Sequence, residues 1–168
     1  MSWTNPYGTA TAFGQTNLDG VASSATLVAG WTSDSVTTAA DDYLISANFQ
    51  VESAGLSAGQ INVYVYTGLN GTSSWPDLFS SGTEGTEGAA TIQDTEIRDS
   101  AFVLIWSTVT DTMASRNYPM PQTGIAQFFG GVLPPMWAVF VTQSSGAALE
   151  TTGDPNQVYR QPVILAGP

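Results

Sequence analysis

Over residues 43–52 the chain alternates strictly: Tyr43, Ile45, Ala47, Phe49 and Val51 fall on one side, and Ser46, Asn48, Gln50 and Glu52 on the other. Only an extended strand places successive side chains on opposite faces, so this segment predicts a strand with one buried and one wet face. The turn-rich link Ala54-Gly55-Leu56-Ser57-Ala58-Gly59 follows, and residues 60–67 then set Ile61, Val63 and Val65 against Asn62, Tyr64 and Tyr66. The two segments are expected to form an antiparallel hairpin.

Residues 101–109 and 136–143 are apolar on both faces and rich in β-branched and aromatic side chains, as in central strands covered on both sides. Trp106 and Trp137 lie within them and are expected to be buried. Weaker strand signals cover 9–18, 25–31, 124–129 and 157–165, for about eight strands in all. Asp94 to Asp99 reads as one helical turn capped by Thr91 or Asp94. No stretch sustains helical periodicity, and no linker divides the chain. The reading is a single all-β domain over residues 1–168, a two-sheet antiparallel sandwich with the jelly roll as leading topology. Residues 1–13 are expected to form an extended N-terminal arm. The longest connection, residues 68–99, carries Trp75-Pro76-Asp77 and the acidic, Gly-rich tract 80–88, which is expected to be flexible.

Composition then restricts function. There is no Cys, His or Lys among the 168 residues, which removes Ser-His-Asp and Cys-His catalysis, the common zinc sites, Schiff-base lysines and phosphate-loop lysines. Fourteen acids oppose Arg98, Arg116 and Arg160, a net charge of −11. Three scattered arginines supply no basic stripe, so neither nucleic acid nor an anionic membrane is an expected partner. The N-terminus has neither the charged start nor the apolar run of a signal peptide. No stretch approaches the roughly 18 apolar residues of a membrane helix.

Two chemistries survive. A glycosidase needs only two carboxylates flanking a sugar bond, for which Asp41, Asp42, Asp77, Asp94 and Glu96 are the candidates. A structural calcium ion would take oxygen ligands from Asp41 and Asp42 or from Asp94, Glu96 and Asp99, although no loop matches an EF-hand. Both readings are weaker than plain turn acids that accept backbone hydrogen bonds. The expectation is therefore no enzyme, no cofactor and no metal, with exposed aromatics as contact residues. Trp3, Tyr7, Phe13, Trp75, Tyr118 and Met120 are the candidate partner-binding residues. Met120, between Pro119 and Pro121, is read as a stiff apolar projection.

Leu18 to Trp31, the Asp42-Tyr-Leu-Ile-Ser strand, Trp75-Pro76-Asp77 and Phe129-Gly-Gly-Val-Leu-Pro134 followed by Val139-Phe-Val-Thr142 together resemble small virion structural proteins of tailed phages and prophages. The size and all-β character are similar to those of jelly-roll decoration (cement) proteins. The resemblance implies a virion protein that binds major capsid subunits from outside as an oligomer. It carries no catalytic residues to transfer, and the absence of Lys departs from a charge-based attachment. A tail or head-fibre component and a carbohydrate-binding sandwich are the alternatives.

Overall fold

The computed structural model describes residues 6–53, 55–71 and 73–165. Its elements run β1 (Thr11–Ala12), β2 (Ala29–Thr32), β3 (Val36–Thr37), β4 (Asp42–Gln50), β5 (Gly59–Thr67), β6 (Phe79–Ser81), β7 (Gly88–Ile92), α1 (Thr95–Ala101), β8 (Val103–Thr110), β9 (Asn117–Gly124), a 3-10 turn (Ala126–Phe129), β10 (Met136–Gln143) and β11 (Gln157–Val163). Among the described residues eight strands span four residues or more. A four-stranded sheet is ordered β1-β11-β4-β9, and a seven-stranded one β6-β7-β2-β10-β5-β8, with β3 also paired to β10. All these pairings are antiparallel, and the protein is an all-β sandwich.

The strand pattern at 43–52 is as the alternation requires: Tyr43, Ile45, Ala47, Phe49 and Val51 are all buried, and the residues between them are half-exposed. Its partner is not what the sequence suggested. β4 lies between β11 and β9 in the small sheet, whereas β5 lies between β10 and β8 in the large one. The link over residues 51–58 crosses from sheet to sheet, anchored where Val51 bridges Leu149 and Ser57 N–H donates to Ser145 O at 2.6 Å. The faces explain the separation. The outer face of β4 is polar and suits a sheet open to solvent, whereas β5 buries both faces and needs cover on both sides.

That cover is the long connection. Its strands β6 and β7 extend the large sheet beyond β2, and together with Leu78, α1 and Phe102 they enclose, on the outer face of β5 and β10, a second core of Tyr64, Tyr66, Leu78, Phe79, Ile92, Phe102 and Phe140. Ring centroids in this group stand 5.1 to 6.5 Å apart, mostly tilted or edge-on. The main core lies between the sheets, built from the inner face of β4, Ile61, Val63 and Val65 of β5, and Trp137, Val139 and Val141 of β10. β10 touches both cores, which is why all eight of its residues are buried.

Three other expectations change. Residues 103–110 form an edge strand rather than a central one. Leu104 is 45% and Val109 75% exposed, and Trp106 is only half-buried, stacked on Phe49 at 6.0 Å. Residues 117–124 form a strand despite two prolines, because β9 is a sheet edge and Pro119 and Pro121 face solvent there. The 124–129 segment turns instead, ending at Gly130 in the left-handed region with φ 71°. The helical turn is α1, and Asp94 caps it by accepting from Ile97 N–H at 2.7 Å.

Candidate functional site

The aromatic contact residues expected from sequence do not form one surface. Trp3 lies outside the described residues. Tyr7 is half-exposed and bridges Val163 beside the small sheet. Phe13 is buried, edge-on to Trp137 at 6.2 Å, and Arg160 sits over its ring at 5.3 Å. The segment from Gly8 to Phe13 runs along β11: Gly8 N–H donates to Pro162 O and Phe13 N–H to Val158 O. This stretch therefore covers its own sheet.

Strand parity inverts the expectation at 118–121. Since side chains alternate, outward Pro119 and Pro121 force Tyr118 and Met120 inward, where they are 7% and 2% exposed. Met120 is thus a core side chain and not a projection. The Tyr118 hydroxyl donates to Asp111 Oδ1 and accepts from Asp111 N–H, both at 3.1 Å. Trp75 is half-buried against Tyr66 at 5.2 Å, with its ring over Gly85.

The acids are held by backbone groups at scattered points. Asp42 Oδ1 accepts from the N–H groups of Tyr43 and Ala126, and Asp41 Oδ2 accepts from Leu165 N–H. Asp94 caps α1, Glu96 accepts from the Thr95 hydroxyl, and Asp77 is exposed. The carboxyl of Asp111 is held below the usual carboxylate range, chiefly by the Met113 N–H, with the Tyr118 hydroxyl and Arg116 adding to it. Backbone N–H groups of Thr152 and Thr151 act the same way on Glu150. No group of three or more acids that could hold a metal ion occurs among the described residues.

Two acids that sequence reasoning assigned to a flexible tract are pinned. Glu84 Oε1 accepts from Leu78 N–H at 2.9 Å and Phe79 N–H at 3.0 Å. Glu87 Oε1 accepts the indole N–H of fully buried Trp31 at 2.7 Å, and its other oxygen accepts from the Asn17 side chain. The tract's composition signals a loop, but these bonds are long-range, and no local pattern in the sequence announces them.

Among the described residues one sheet edge remains open. Of the four sheet edges, β1 spans two residues, β6 spans three and carries a register shift, and β9 carries two prolines. Short length, irregularity and proline are the devices by which native sheets discourage further pairing. The fourth edge, β8, is eight residues long, has no proline and no charged side chain, and shows Leu104, Ser107 and Val109 to solvent. One register shift against β5, at Ile105, is its sole irregularity. An extended segment can add backbone hydrogen bonds along such an edge, with side-chain contacts to Leu104 and Val109. Comparison with protein-family models, with curated proteins and with solved structures finds no match for this chain.

Proposed function

We propose that the protein is a non-enzymatic virion structural component that decorates or cements the exterior of a phage capsid, binding major capsid subunits as an oligomer. The observation that carries this reading is the free edge of β8, an uncharged strand of eight residues beside three blunted edges. It is the surface that takes up a strand from a capsid subunit or from a neighbouring copy. The resemblance to phage virion proteins adds the setting. The fixing of Asp41, Asp42 and Asp94 by separate backbone groups adds that these acids serve as turn and cap residues.

Cryo-electron microscopy of purified particles tests the reading directly. The sandwich is expected as ordered density on the capsid shell with β8 at the contact. Density confined to the tail, or none on the particle, overturns it. Val109→Lys places a charge on the edge at a position 75% exposed, so the fold is retained while occupancy of particles falls. Undiminished occupancy by that variant removes β8 from the contact.

A further inference from the structure

The bulge at Ile105 sets the pattern of β8. Trp106 lies opposite Val63 and Leu104 opposite Tyr64, so Ile105 is the extra residue, and its side chain turns into the main core at 7% exposure. Opposed residues share a face. Leu104, Ser107 and Val109 therefore share the outer face, opposite Tyr64, Asn62 and Gln60, and the Ser107 hydroxyl donates to Asn62 Oδ1 at 2.6 Å. Val103, Trp106, Thr108 and Thr110 take the inner face, opposite Val65, Val63, Ile61 and Gly59. In a regular strand Leu104 and Val109, five residues apart, would fall on opposite faces. With Ile105 set aside they share one, and Ser107 lies midway between them.

That spacing makes the strand complementary to itself. An antiparallel pairing of β8 with β8 of a second copy, about a twofold axis beside Ser107, sets Ser107 against Ser107 of the second copy. Leu104 then opposes the second copy's Val109 twice over, Trp106 its Thr108 and Val103 its Thr110, and every pair joins side chains of one face. The exposed apolar residues of the strand, 45% and 75% exposed, cover each other, and half-buried Trp106 gains cover on the inner face. Charge agrees with this register. A seam between two copies of net charge −11 must leave carboxylates out, and Val103–Thr110 contains none. Asp111, just past the strand, would stand roughly 27 Å from its counterpart, far beyond the Debye length of about 8 Å at physiological salt. Closure follows from the other edges. With β1, β6 and β9 blunted, the edge free to meet β8 is β8 itself, an isologous contact that stops at two copies.

We infer that the protein forms a twofold dimer in solution by pairing β8 with β8 of a second copy, joining the two large sheets into one. The inference rests on the reading of β8 as the contact edge; of the two occupants given for it, a capsid strand or a neighbouring copy, it takes the copy.

Sedimentation velocity over a concentration series and disulfide cross-linking test it. The native chain is expected to sediment at twice the monomer mass, and Val109→Lys, with a native circular dichroism spectrum, to dimerise at least about tenfold more weakly. The chain has no Cys, so Ser107→Cys introduces a lone thiol. Oxidation should convert this variant to a covalent dimer, because directly opposed Cα atoms stand about 4.5–5.5 Å apart, within disulfide reach. Val109→Cys should not cross-link to itself, since the two copies of residue 109 would lie about 13 Å apart along the seam. A mixture of Leu104→Cys and Val109→Cys should link one variant to the other. A chain that stays monomeric in solution, a dimer that Val109→Lys leaves intact, or self-linking by Val109→Cys in place of Ser107→Cys each overturns the inference. A monomer whose β8 lies against a capsid subunit on particles overturns the dimer alone and leaves the proposed function standing. A chain that dimerises and cross-links as stated but is absent from particles supports the dimer and overturns the proposed function.

Discussion

Gln143 shows how single residues hold this sandwich together. It is wholly buried, yet its amide is satisfied: Nε2 donates to Val21 O and Ala147 O, and Oε1 accepts from Ser145 N–H and Oγ. Gln143→Ala orphans several of these groups in the interior, and urea unfolding should show a loss of about 3 kcal/mol or more. Glu87→Ala likewise strands the Trp31 indole N–H and should cost about 1–3 kcal/mol, with Glu87→Gln costing less because one acceptor oxygen remains. Tyr66 links stability to pH. Burial pushes its phenol up to about 12, while Thr32 Oγ1 and Gly85 N–H bond to its oxygen. An unfolded tyrosine ionises near 10, so below pH 10 both states keep the proton and this source of stability is intact. Between about 10 and 12 the unfolded state loses its proton first, and stability falls by up to about 1.4 kcal/mol per pH unit. Unfolding at pH 9 and pH 11.5 should show this extra loss in the native sequence and its disappearance in Tyr66→Phe.

The elements divide into those whose information is local and those whose information is not. The alternation that wrote β4, the doubly apolar run of β10 and the Asp94 cap of α1 were all legible, because each depends on neighbours within a few residues. Sheet membership was not, since the inner faces of β4 and β5 look alike as sequence and only the cover on the outer face of β5 separates them. Edge position was not legible either. β8 and β10 are both apolar runs, and β9 hid behind prolines that only an edge tolerates. The inward place of Arg160 was beyond reach for the same reason, as it follows from the pairing of β11 with β4. The long connection is testable as a unit. Gly85 has φ +67°, and a Cβ there would stand 2.4 Å from the Trp75 ring. Gly85→Ala should therefore displace Trp75 from Tyr66, raise hydrogen exchange over residues 75–88 and leave β4 and β11 protected.

Taken whole, the molecule is two cores sharing one large sheet, closed along the small sheet by its own N-terminal segment. Pro6 O accepts from Ile164 N–H, Tyr7 bridges Val163, Gly8 donates to Pro162, Thr11 and Ala12 pair with Arg160 and Tyr159, and Phe13 enters the main core. This stretch thus does two jobs: it fills space against Trp137 and caps the seven-residue edge that β11 would otherwise expose. The jobs can be separated. Phe13→Ala removes only the filling and should cost about 3–5 kcal/mol, as for other buried aromatics, or about 10 °C in Tm for a chain of this size. Deleting residues 1–13 removes both, so it should lower Tm at least as far and also open β11 to strand pairing between molecules. Thermal melts with light scattering across a concentration series distinguish the two, because only the truncation should aggregate in a concentration-dependent way. A truncated chain with native Tm and no aggregation would show that residues 6–13 contribute neither core nor edge protection.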